Sequence, residues 1–185
     1  SFDLIIPSIV ENVSYALKKN TQGSCLANEQ PSIPFINRII FDGFHRLVYD
    51  WDPETLKLNP ESLKLLNACN SICEAMGERS LMPFPVLWRI PTKKNKKYAE
   101  AHRTVKDFIG KFLVEQKSKY HSHREEILRL KKRSLLQEML IANESEDRDK
   151  RLNHDELIDQ IAILFFGGYD TTSNVLSFCL NYLAR

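Results

Sequence analysis

The chain has 185 residues, 43% of them apolar and 27% charged, with 6 Gly and 8 Pro. This balance excludes a disordered, collagen-like or low-complexity polypeptide, and no apolar stretch reaches the ~20 residues a bilayer-spanning helix needs. The net charge of +2 conceals a basic middle, since Arg89 to Arg133 holds 15 Lys/Arg against 5 Asp/Glu, or +10, leaving 11 against 19, or −8, elsewhere. Such a run suits an anionic partner or is the solvated side of a helix. Four cysteines, Cys25, Cys69, Cys73 and Cys179, contain no Cys-x-x-Cys pair and encode neither a disulfide framework nor a zinc ribbon. Ser1 in place of an initiator Met, and a helical pattern still running at Arg185, lead to the expectation of an internal piece of a longer protein.

Apolar residues recur at three and four rather than two, which predicts an all-α chain. Ile6, Ile9, Val10, Val13 and Leu17 make one face of a first helix, and Cys25 to Pro34 is a polar connection. Ile36, Ile39, Ile40, Phe44, Leu47 and Val48 form a second apolar stripe, interrupted by Asp42. A loop at Asp50 to Pro53 precedes a third helix, predicted from about Pro60 to Met76. Residues 82–91 hold Pro83, Pro85 and Pro91 and are expected to be an extended, aromatic-rich loop. A fourth helix, from near Thr92, carries Tyr98, Ala101, Val105, Phe108, Ile109, Phe112 and Leu113 opposite its lysines and arginines. A fifth is predicted from about His123 to Ile141, then a charged loop from Asn143 to Arg151. Asn153 with Glu156 three residues on is a capping-box pattern that starts the last helix.

That last helix is apolar all round from Ile161 to Phe166 and then breaks its own rules. Gly167 and Gly168 each cost about 1 kcal/mol relative to Ala in a helix interior, and Asp170 places a carboxylate in the apolar run. Thr171 and Thr172 add hydroxyls that can hydrogen-bond the helix's own carbonyls. Successive violations of this kind mark a functional site, where two glycines admit something large and flat and a carboxylate beside a hydroxyl makes a proton relay. Equally, the glycines are a notch for close helix packing and Asp170 pairs with an arginine.

Gly167-Gly168-Tyr169-Asp170-Thr171-Thr172 resembles the [AG]-G-x-[DE]-T-[TS] motif in the central I helix of cytochrome P450 haem-thiolate monooxygenases. The capped start upstream, with Asn174 and Leu176 downstream, agrees with that setting, and Leu87-Trp88-Arg89-Ile90-Pro91-Thr92 followed by Asn95 is similar to the segment between the family's F and G helices. The resemblance implies that residues 1–185 are one partial domain of that all-α fold, running from its D helix to its I helix without the N-terminal part or the cysteine-bearing C-terminal part. It implies haem b as cofactor, dioxygen and a lipophilic, fatty-acid-like molecule as substrates, and electrons from NAD(P)H through a reductase or ferredoxin. Asp170 and Thr171 would be the catalytic pair, with Thr171 hydrogen-bonding dioxygen or its water and Asp170 relaying protons. Gly167, Gly168, Thr171 and Thr172 would lie against the haem, and Ile163, Phe166 and Gly167 against the substrate, a core-packing role being equally open for Ile163 and Phe166.

The family's proximal thiolate loop, Phe-x-x-Gly-x-x-x-Cys-x-Gly, is absent, so no residue here is assigned as a metal ligand, and Glu126-Ile-Leu-Arg129 matches the family's Glu-x-x-Arg by spelling alone because it precedes the central helix. The piece alone is therefore expected to be inactive, and a non-catalytic helical interaction module or truncated product is the competing reading. His121 and His123 lack partners at metal-ligand spacing, Asp42 reads as a satisfied core carboxylate, and the acceptor triplets at Asn12 and Asn143 are given no role. Phe84, Leu87 and Trp88 followed by Lys93, Lys94, Lys96 and Lys97 have the composition of an interfacial membrane contact, in agreement with the family's F to G region. The implied location is the cytosolic face of the endoplasmic reticulum in a eukaryote, otherwise the cytoplasm. No base-reading module accompanies the charge, so nucleic acid is not expected as a partner.

Overall fold

A computed structural model describes residues 33–183 apart from 82, 83, 146, 148 and 149, together with Pro7, Val10 and Ser14. Those last three are helical, and the rest of the expected first helix lies outside the described residues. Every regular element from Ile33 to Leu183 among the described residues is helical: α1 (Ile33–Tyr49), α2 (Pro60–Ser80), α3 (Lys93–Ser122), α4 (Arg124–Arg129), α5 (Leu135–Ser145) and α6 (His154–Leu183), with 3-10 turns at Thr55–Lys57 and Pro85–Arg89.

Local chemistry sets these boundaries. Asn59 accepts from the N–H groups of Glu61 and Ser62 and Pro60 takes the first turn, where a missing N–H is not felt, so α2 starts there. It runs four residues past the expected Met76, to Ser80. The Thr92 hydroxyl caps α3 through Asn95 N–H at 3.1 Å. Asn153 and Glu156 form the predicted reciprocal pair at the start of α6, Glu156 N–H to Asn153 Oδ1 at 3.0 Å and Asn153 N–H to Glu156 Oε2 at 2.7 Å.

Two sequence readings are corrected. The proline-rich segment is not wholly extended, because Pro85 opens a 3-10 turn closed by Leu87 N–H to Phe84 O and Ile90 N–H to Leu87 O, at 3.1 and 3.3 Å. The expected fifth helix is two, parted at residues 130–134. Ser134 starts a new helix there, its N–H donating to Gln137 Oε1 at 3.0 Å and its hydroxyl accepting from Gln137 N–H at 3.3 Å. Arg133 crosses the joint, donating to the carbonyls of Leu128 and Leu130 and pairing with Glu138. Helix α5 also extends into the expected charged loop, and its Asn143 clasps both backbone groups of Leu152, at 2.8 and 3.2 Å.

Helix α1 packs along α6 and α2 along α3, while α3 also crosses α6. Between them lies an aromatic core of Phe41, Tyr49, Phe112, Phe165 and Tyr169, all buried. Tyr49 donates its phenol to Ile161 O at 3.2 Å and Tyr169 to Asn70 Oδ1 at 3.1 Å, so two tyrosines tie α6 to α1 and α2. Fully buried His45 sits 4.2 Å, ring to ring, from Phe165, with Nδ1 2.7 Å from Phe41 O and Nε2 without a partner. Burial pushes its pKa down to about 3 against a lesser upward pull from that bond, so it is neutral. Asp42 is the satisfied core carboxylate expected: it accepts from Thr55 N–H (3.0 Å), the Thr55 hydroxyl (2.6 Å) and Leu56 N–H (3.1 Å). Those bonds hold the turn after α1, whose Asp50, Glu54 and Leu58 are left-handed at φ 54, 57 and 63°.

Candidate active site

Helix α6 presents different chemistry on different sides. Its buried seam contains Ile161, Phe165, Tyr169 and Ser173, at a spacing of four. Ile163, Gly167, Thr171 and Val175 form a second row of the same spacing that faces outward, with Ile163 and Val175 each 63% exposed. A Cβ on Gly167 would meet nothing within 4 Å, so this residue is a gap in an open wall.

Thr171 donates its hydroxyl to Gly167 O at 2.9 Å and Thr172 to Gly168 O at 2.8 Å. With each hydroxyl proton committed to a carbonyl one turn back, Thr171 offers the exterior its oxygen lone pairs: it is an acceptor on the open row. Phe166 is half-buried and packs on the core, so of the three residues expected at the substrate, Ile163 and Gly167 share the open row and Phe166 lies beside it. Thr172 is exposed next to that row.

Gly168 goes elsewhere. A Cβ there would overlap the ring edge of Phe44 on α1, so its missing side chain serves helix packing, the alternative open for both glycines in the sequence. Asp170 turns away from the open row, onto the wall of a polar cleft of about 720 Å³ shared with Asn37, Asn70, Cys73, Glu74 and Lys97. Burial, with the Asp170 charge as a second cause, pushes the Cys73 thiol up to about 11 against a downward pull from its hydrogen bond to Tyr169. The acid and the alcohol of the motif thus stand on adjacent faces, one toward a wet cleft and one toward the open wall.

A flat group can approach a helix only where the wall lacks side chains, and the outward row has such a gap at Gly167, with apolar Ile163 and Val175 in the same row. A metal ligand is another matter. Among the described residues no group of three His, Cys, Asp or Glu could hold a metal ion. Cys69 is buried, Cys73 half-buried, and exposed Cys179 lies on the same helix as Thr171, about 12 Å further along. The residues fit one wall of a haem site.

At the far end of α2, Phe84 (66%), Leu87 (43%) and Trp88 (36%) are exposed beside Leu81 (86%) and Val86 (74%). Asn95 holds this loop by donating to Leu87 O and Ile90 O at 3.2 and 2.7 Å. The Arg79 guanidinium lies 3.6 Å from the Tyr98 ring centre and 5.5 Å from that of Trp88. Of the four lysines, Lys94 and Lys97 pair with Glu78 and Glu74 of α2 at 2.7 and 3.8 Å, while Lys93 and Lys96 form no ion pair among the described residues. No described helix is long and apolar enough to cross a membrane.

The sequence leaves several of these partners unseen. Tyr169 fills the variable position of the motif, yet the spacing Ile161, Phe165, Tyr169 marks it as a seam residue. Nothing local to Gly168 points to Phe44.

Comparison with known proteins agrees with the motif. The chain is 26% identical over 146 residues to cytochrome P450 94A1 of Vicia sativa, covering 77% of this chain and 26% of that protein. It is 29% identical over 109 residues to cytochrome P450 monooxygenase 128 of Postia placenta, covering 55% of this chain and 20% of that one. The chain therefore aligns with about a quarter or less of the length of these curated relatives. The family described as Cytochrome P450 matches residues 5–185, almost the whole sequence. With the all-helical architecture and the open glycine and threonine row of α6, this match places the chain in the cytochrome P450 family.

Proposed function

We propose that residues 1–185 are part of one cytochrome P450 monooxygenase domain and that α6 forms the wall at which oxygen is handled. The observation that carries this reading is the open row of α6, where Gly167 lacks a Cβ and Thr171 presents acceptor lone pairs, next to Asp170 on an open polar cleft. Haem, when bound, supplies the redox chemistry that reduces dioxygen and inserts one oxygen atom into a C–H bond, with its thiolate ligand outside this chain.

The protein's own part is position and protons. Gly167 lets a flat group approach the backbone, and Thr171 orients a water by accepting from it. Asp170, on the cleft one residue before Thr171, is the acid that exchanges protons with solvent on that side of the helix. Ile163, with Phe166 behind it, keeps an apolar substrate against the wall and water away. Electrons come from NAD(P)H through a reductase or ferredoxin, and the substrate is lipophilic, a fatty acid being the favoured kind. The exposed apolar loop at Phe84, Leu87 and Trp88 supports contact with a membrane surface, at the cytosolic face of the endoplasmic reticulum if the cell is eukaryotic. Among the described residues Lys93 and Lys96 form no ion pair, while Lys94 and Lys97 pair with Glu78 and Glu74 on the surface of α2.

The test is the reduced, carbon-monoxide difference spectrum of the complete protein. The shifted Soret band of thiolate-ligated haem is expected, and a protein with no haem signal would instead be a helical interaction module.

A further inference from the structure

The two motif glycines have different neighbours, and the neighbour of the second lies outside the motif. Phe44 stands on α1 with its ring edge-on to His45 and Tyr49, at centroid separations of 5.6 and 6.4 Å. His45 in turn meets Phe165 of α6 at 4.2 Å, and Tyr49 donates to Ile161 O of the same helix at 3.2 Å. The ring is thus held by groups that themselves grip α6, and a Cβ on Gly168 would overlap its edge. Gly167, about 100° further round the helix, has nothing within 4 Å of its own Cβ position. If α6 were turned by one residue so that Gly167 faced Phe44, Gly168 would take the place of Tyr169 in the buried seam and Thr171 would leave the open row.

We propose that Phe44 is a positioning residue: by filling the space that Gly168 leaves, its ring fixes the rotation of α6 and so presents Gly167 and Thr171 to the open side. The proposal rests on the reading of α6 given above for its chemical consequence, but not for the packing itself. An added methyl at 168 must push the ring or the helix, and removing the ring should relieve it. An added methyl at 167 meets no ring, so removing Phe44 should not relieve it.

The experiment uses the complete, haem-loaded protein and compares Gly168→Ala, Phe44→Ala and their combination with Gly167→Ala and its combination with Phe44→Ala. Two quantities are read: the thermal unfolding midpoint and, per haem-loaded molecule, the share of electrons released as hydrogen peroxide. Gly168→Ala and Phe44→Ala should each lower the midpoint by several degrees and raise the peroxide share, and the double variant should lose clearly less than the sum of the two on both counts. Gly167→Ala, whose added methyl meets nothing, should not lower the midpoint, and its effect on the peroxide share should simply add to that of Phe44→Ala. Effects of Gly168→Ala and Phe44→Ala that simply add, or a wild-type peroxide share in folded Gly168→Ala, would overturn the proposal. A wild-type protein without haem would sink the monooxygenase reading, and the midpoints would then decide the packing: additive changes refute it, less-than-additive losses support it.

Discussion

Thr171 shows how one hydrogen bond selects what a residue can offer. Because its proton is tied to Gly167 O, removing the hydroxyl takes away an acceptor from the open wall and leaves the helix in place. In the complete protein Thr171→Ala should lower product per electron by on the order of 10²-fold, at the low end for a positioned proton-transfer group, with the electrons appearing as peroxide. Thr171→Ser should keep most of the coupling. Matched peroxide and product assays check both, and an unchanged ratio in Thr171→Ala would remove it from the proton path. Asp42 offers a contrast, since its role is structural. Asp42→Ala strands the N–H groups of Thr55 and Leu56, leaves the Thr55 hydroxyl only its longer bond to Arg38 O at 3.3 Å, and should cost about 2–4 kcal/mol in chemical denaturation. Asn retains one acceptor oxygen and should cost less.

Elements were readable in the sequence wherever their ends carry a local chemical device. Asn59-Pro60, Thr92 and the Asn153/Glu156 pair are such devices, and each marks a helix start in the structure. The split between α4 and α5 was not readable, because Arg129-Leu-Lys-Lys-Arg-Ser134 keeps a helical pattern and the break depends on where Arg133 and Gln137 direct their side chains. For the site, the row Ile163, Gly167, Thr171 follows from helical spacing, whereas the fate of Gly168 depends on a ring from a distant helix. The lysines after Pro91 divide in the same way: charge was visible, pairing was not. Replacing Lys93 and Lys96 with Gln should weaken co-sedimentation with anionic vesicles, while replacing Lys94 and Lys97 should mainly loosen the α2–α3 contact and lower the unfolding midpoint. Equal vesicle binding by the Lys93/Lys96 variant and wild type would count against lipid contact.

At the scale of the molecule, His45 couples stability to pH. Its pKa is about 3 when folded against 6.5 when unfolded, so between those values the unfolded chain binds a proton that the folded one does not. Stability is therefore complete above pH 6.5 and is lost as pH falls toward 3, with a slope approaching about 1.4 kcal/mol per pH unit. Urea midpoints at pH 7, 6 and 5 should fall more steeply for wild type than for His45→Phe; parallel slopes would show that other groups carry the acid sensitivity. The same core explains why a single histidine matters: it is fully buried and enclosed by rings from α1 and α6.

The joint bridged by Arg133 constrains chain length as well as residue identity. Leu136 and Leu140 are buried just beyond it, while Arg133 is bound on both sides. One residue inserted between Arg133 and Leu136 would turn α5 by about 100° relative to that anchor and carry both leucines out toward water. A substitution at exposed Lys131 is a mild change by comparison, so the count of residues across this joint matters more than the side chain there.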